Sequence, residues 1–104
     1  MKNTEEYLDI LRKIYTKPDI SQRKLAQELN FSLGKLNYCL KALRNKGLIK
    51  IKNFERNPKK FKYIYILTPK GIKKKTVLTI NFIKVKMKEY EKLKIELKKM
   101  RKNV

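Results

Sequence analysis

Ser32, Gly34, Lys35, Asn37, Tyr38, Lys41 and Asn45 put hydroxyl, carboxamide, phenol and ammonium groups into one short segment. Groups of this kind exchange hydrogen bonds and neutralise negative charge; as a set they offer no covalent chemistry. An asparagine carboxamide can pair bidentately with the edge of adenine, and a lysine ammonium can donate to guanine. A serine at a helix start, with exposed backbone N–H groups beside it, suits a phosphate. The same segment carries Leu33, Leu36, Leu40 and Leu43 at spacings of three, four and three. That is the amphipathic helical period, so the four leucines are expected in the core. With Leu36 at the centre of the buried face, Gly34, Tyr38, Lys41 and Asn45 fall near the opposite side, and Lys35 and Asn37 on the flanks. Gly34 would weaken an ordinary helix by about 1 kcal/mol relative to alanine. It either eases entry into the helix or permits close approach of a phosphate or base edge.

Other chemistries find little support. There is no histidine and a single cysteine, Cys39, so no internal disulfide, Cys-based metal cluster or histidine acid–base catalysis is available. No carboxylate pair, nucleophile–base set or phosphate loop stands at usable spacing. An enzyme is therefore not expected, and no metal or cofactor is implied. Cys39 falls on the flank of the buried face, where a thiol more often packs than reacts.

Lys and Arg number 29 against 9 Asp and Glu, a net charge of +20 that calls for a polyanionic partner. A lysine-, isoleucine- and asparagine-rich composition would also follow from an AT-rich genome. The distribution argues for more. Up to Phe31, Lys2, Arg12, Lys13, Lys17, Arg23 and Lys24 are balanced by Glu5, Glu6, Asp9, Asp19 and Glu28; from Ser32 to Thr68, ten basic residues face only Glu55.

The elements that must position these groups follow from caps and breakers. A first helix is predicted over Thr4–Thr16, with Glu5 and Glu6 at its positive end and Pro18 beyond its stop. Its apolar residues, Tyr7 among them, cover more than one narrow stripe, so part of that surface needs a further partner. Ser21 caps a second helix, SQRKLAQEL; Asn30 suits a left-handed turn position, Phe31 plugs the corner, and Ser32 caps the helix of the leucines. Gly47 ends that helix. LIKIKNF and FKYIYIL alternate as the strands of a hairpin, with Arg56, Asn57, Pro58, Lys59 and Lys60 at its tip.

Thr68-Pro69 opens a last helix that continues to Lys102, far longer than a domain of 104 residues needs for its own core. Ile72, Thr76, Ile83, Tyr90, Leu93, Leu97 and Met100 follow a loose three-four seam, with Ile80 and Met87 beside it. Leu78, Phe82 and Val85 form a second apolar surface. One face can cover the first helix; the other is expected to meet a second copy. Tyr7, Ile83, Met87, Tyr90, Leu93, Leu97 and Met100 are the dimerisation candidates.

The segment ISQRKLAQELNFSLGKLNYCLKALRNKGLIKIKNF, followed by LTPKGIKKK and EYEKLKIEL, resembles the winged-helix MarR family of transcriptional regulators. It is most similar to the compact branch associated with extracellular polysaccharide gene clusters. The resemblance covers nearly the whole chain. It implies a DNA-binding dimer, with recognition helices in successive major grooves and wings on the flanking minor groove or backbone. Typical members are longer, with helices at both ends enclosing a ligand cleft; this chain has one long helix after the hairpin, so no effector is assigned.

The expected fold is mainly α with a small β-hairpin (α+β): a winged helix-turn-helix over residues 1–68 and a long C-terminal dimerisation helix over 69–104. The expected function is double-stranded DNA binding as a homodimeric regulator, most simply a repressor. Ser21, Gln22, Arg23 and Ser32 are the candidate phosphate anchors. Lys35, Asn37, Tyr38, Lys41 and Asn45 are the candidate base readers, and Gly34 completes the DNA-binding set by permitting close approach. Arg56, Lys59 and Lys60 would contact phosphates or a narrow minor groove. An RNA-binding or protein-interaction winged helix would also accommodate the basic chain. The N-terminus, MKNTEEYLDI, lacks the apolar core of a signal peptide, and no run approaches a membrane span. A cytoplasmic, nucleoid-associated protein is expected, with no membrane partner.

Overall fold

The computed structural model describes residues 3–53 and 63–102. In chain order these form α1 (Asn3–Thr16), α2 (Gln22–Leu29), α3 (Leu33–Asn45), β1 (Ile49–Asn53), β2 (Tyr63–Leu67) and α4 (Pro69–Lys102). Helix α1 supplies the centre of the core. Leu8, Leu11 and Ile14 recur every three residues, and Ile10 joins them; all four are buried, as are Leu25 and Ala26 of α2. Glu28 of α2 accepts a hydrogen bond from the Lys17 ammonium at 3.0 Å, with Lys13 at 3.8 Å, which fastens α2 to the end of α1. The Lys17 hydrogen bond, with the neighbouring lysines, holds the Glu28 carboxyl below its ordinary value.

The turns are made by the residues that the sequence singles out. Ser21 and Ser32 sit in extended backbone and accept from the N–H groups of Lys24 and Lys35, capping α2 and α3. Asn30 takes φ 61°, ψ 37°, and its N–H meets the carbonyls at the end of α2. Phe31 then packs, half-buried, against the core. At the other end of α3, Gly47 takes φ 73°. The Gly47 N–H donates to the Arg44 carbonyl (2.9 Å) and the Leu48 N–H to the Leu43 carbonyl (3.0 Å). This is a Schellman stop, and Leu43 and Leu48, the residues it brings together, are both buried in the core.

The buried stripe of α3 is Leu36, Cys39, Leu40 and Leu43. Leu33, expected in the core, is 45% exposed. With 3.6 residues per turn it stands about 70° from the centre of the observed stripe, which Cys39 pulls the other way. Leu36→Ala should therefore cost about 2–5 kcal/mol, whereas Leu33→Ala should cost less than about 1 kcal/mol. Urea midpoints measure both; equal losses would restore Leu33 to the core.

Strands β1 and β2 pair antiparallel, with Ile49 opposite Leu67 and Ile51 opposite Tyr65 on the inner face. Lys50 and Lys52 alternate outward, both exposed. Phe54 and Phe61, expected to continue the strands, lie outside the described residues, as does the hairpin tip. A clamp joins the hairpin to α4. The Thr68 hydroxyl donates to the Gly47 carbonyl and accepts from the Gly71 N–H, the Thr68 N–H donates to the Leu48 carbonyl, and the Lys70 ammonium reaches the Lys46 carbonyl. Buried Gly71 lies so close to Leu48 that a Cβ there would come within 1.9 Å of its carbonyl oxygen.

Helix α4 has 34 residues, about 50 Å of helix. Only its first part packs on the subunit: Leu78 is buried and Phe82 half-buried, against α1 and β2. Val85, expected on the same face, is 53% exposed because it lies past the packed stretch. The radius of gyration is 18.3 Å, against about 13 Å for a compact chain of this length.

Candidate nucleic-acid interface

Helix α3 is gripped on one side by α1, α2 and the Schellman stop, which leaves its opposite side open. Gly34, Asn37, Tyr38, Lys41 and Asn45 are all exposed there, Tyr38 by 69%. A rigid helix with its apolar stripe locked in the core presents these side chains with little freedom of the backbone beneath them. Gly34 has nothing within 4 Å of where a Cβ would stand, so the subunit's own packing does not require glycine.

Two of the predicted contact residues are engaged within the subunit. The Lys35 ammonium lies 2.6 Å from the Glu6 carboxylate and 4.5 Å from the Phe31 ring centroid. It pins the first turn of α3 to α1, and its charge is partly neutralised there. The Gln22 carboxamide donates to the Tyr65 hydroxyl, tying α2 to β2. Wheel arithmetic on a single helix cannot reveal either partner, because each comes from another element.

Ser21 and Ser32 stand at the starts of α2 and α3 with their hydroxyl oxygens accepting cap bonds. Each hydroxyl proton is left to donate outward, as to a phosphate oxygen. Arg23 is exposed in the first turn of α2. Arg56, Lys59 and Lys60 fall outside the described residues. Arg44, not in the predicted set, is exposed on the Asn37 flank of α3; its spacing of seven from Asn37 is the signal that would have found it. Cys39 is buried, and burial, followed by the nearby Glu6 carboxylate, pushes its thiol above the usual value while Lys35 partly offsets them. It is core packing for α3.

The dimerisation candidates divide. Ile83, Met87, Tyr90, Leu93, Leu97 and Met100 are all exposed, between 48% and 65%. Tyr7, on α1, is half-buried against the subunit's own core, with the Lys46 ammonium 4.8 Å from its ring centroid. Among the described residues no helix is long and apolar enough to cross a membrane, and no group of acidic or cysteine side chains is placed to hold a metal ion.

Residues 8–50 match the family described as winged helix-turn-helix DNA-binding. No curated protein matches the chain. Among solved structures, Staphylococcus aureus MarR in complex with salicylate and kanamycin is similar with a TM-score of 0.67 at 22% identity, over 84% of this chain and 57% of that one. The S. aureus MepR–DNA complex gives 0.66 at 23% identity, over 91% and 73%. Streptococcus pneumoniae FabT in complex with DNA gives 0.63 at 23% identity, over 84% and 59%. This chain thus spans less than two thirds of the MarR and FabT chains. By the match in its helix-turn-helix and by its overall architecture, the chain has the winged helix-turn-helix fold of the MarR regulators.

Proposed function

We propose that this protein is a MarR-family transcriptional regulator that binds double-stranded DNA as a homodimer and represses by occlusion. The observation that carries the reading is the exposed polar face of α3, held rigidly by a helix-turn-helix that matches a DNA-binding family. Asn37, Lys41 and Asn45 are the base readers, with Tyr38 adding apolar and hydrogen-bonding contact. Gly34, which the fold does not require, leaves room for the DNA to approach the first turn. Ser21, Arg23 and Ser32 anchor phosphates at the helix starts. Lys35 and Gln22 serve mainly to hold the reading helix and its neighbour in place.

The dimer reading rests on α4. Residues 69–104 form the dimerisation unit, and its exposed seam from Ile83 to Met100 is what a second copy would cover. The likeness to MepR and FabT in complex with DNA supports the partner. Selection of bound sequences from a genomic library, followed by footprinting, tests the whole reading. Two protected half-sites about 34–36 Å apart, or a multiple of that, are expected. Protection of one half-site by a monomer would overturn it.

A further inference from the structure

Residues 69–104 carry 13 lysine and arginine residues against three glutamates, Glu89, Glu91 and Glu96. The polar face of α3 does not account for this charge, because α4 packs on α1 and β2 instead. On α4 the lysines fall into two groups. Lys70, Lys75, Lys86 and Lys94 have partners within the subunit: the Lys70 ammonium donates to the Lys46 carbonyl, those of Lys75, Lys86 and Lys94 lie over the rings of Tyr15, Phe82 and Tyr90, and Lys86 also pairs with Glu89. Lys73, Lys74, Lys84, Lys88, Lys92, Lys98, Lys99 and Lys102 are exposed and have no such partner among the described residues. At 3.6 residues per turn these eight share an arc of about 120°, nearly opposite the apolar seam, with Glu91, Val77 and Ile95 interspersed among them.

Lys84, Lys88 and Lys92 stand at successive i, i+4 positions, where like charges destabilise a helix by about 0.2–0.5 kcal/mol per pair. Lys75, Lys86 and Lys94 lie off this face, whereas Lys70, held at the Lys46 carbonyl, lies on it. The stripe rises about 6 Å per four residues, and it offers a row of compact cations without a reading geometry. Such a row suits a phosphate backbone.

We infer that the lysine stripe of α4 is a second DNA-binding surface, which holds the sugar–phosphate backbone of duplex DNA without regard to sequence. The inference rests on the DNA-binding reading above but uses a different element from α3. The test replaces Lys84, Lys88 and Lys92 together by glutamine, a residue of similar helix propensity, with circular dichroism to verify the helix. A charge-matched control replaces Lys86, Lys94 and Arg101 by glutamine. Binding to a random-sequence duplex is followed over a salt series. The stripe variant should lose affinity and show a salt slope shallower by about 2–3 units, with the control changing much less. The ratio of specific to random binding, which reports α3, should be the same in the stripe variant as in the unmodified protein. Equal losses in the two triples would reduce the effect to net charge and overturn the inference. So would an unchanged slope, or a loss confined to binding of anionic lipid vesicles.

Discussion

Gly71→Ala should destabilise the protein by about 3 kcal/mol or more. The added Cβ would meet the Leu48 carbonyl oxygen at 1.9 Å, its carbon at 2.9 Å and its Cα at 3.3 Å. These are backbone atoms with no rotamer to change. They also sit at a junction. The Leu48 N–H closes the stop of α3, its carbonyl accepts from Thr68, and β1 begins at the next residue. Relief would have to move α4 away from the clamp made by Thr68 and Lys70. Gly47 is the informative comparison. Its φ of +73° disfavours a side chain, but a Cβ there meets nothing within 4 Å. Gly47→Ala should therefore cost only about 1–2 kcal/mol. Urea unfolding of the two variants separates strain from collision; equal losses would mean that α4 can step back from Leu48 at little cost.

Met87→Glu combined with Leu97→Glu should leave the subunit folded and abolish the dimer. Both side chains are exposed, 62% and 48%, and contribute nothing to the subunit's buried core. Surface changes of this kind usually stay within about 0.5 kcal/mol of the parent stability. Across a two-fold seam the same carboxylates would be buried against apolar neighbours, and a buried unpaired charge is strongly unfavourable. DNA affinity should fall about 10²–10⁴-fold, because the second half-site then no longer binds as an intramolecular event. Sedimentation velocity reads the first effect and mobility shift on a two-half-site duplex the second. A variant that remains dimeric would place the interface elsewhere.

Much of the fold is written in local chemistry. Ser21, Asn30, Ser32 and Gly47 each perform the turn or cap that their residue type favours, and of the four leucines that the spacing of α3 assigns to the core, three are buried there. What local reasoning could not supply is the neighbour from another element. Leu33 has the right period but stands at the edge of the stripe, and only the placement of Cys39 shows where the stripe is centred. Lys35 looks like a surface cation on the wheel of α3, yet Glu6 of α1 claims it. Tyr7 looks like spare apolar surface on the wheel of α1, yet it packs half-buried against the subunit's own core. The LTPKG segment reads as a helix start; that its glycine makes room for Leu48 appears only when residues 23 positions apart meet. The candidate site was legible as a face and less so residue by residue, because being free to contact DNA depends on the packing around each side chain.

The most direct test of the central claim, that the open face of α3 reads DNA, is discrimination between sequences. Asn37→Ala and Lys41→Ala are each measured on the selected site and on a random duplex at one salt concentration. Each substitution should cost about 1–3 kcal/mol on the selected site and leave random binding nearly unchanged. Equal losses on both duplexes would make these residues phosphate contacts and contradict the assignment of sequence reading to α3.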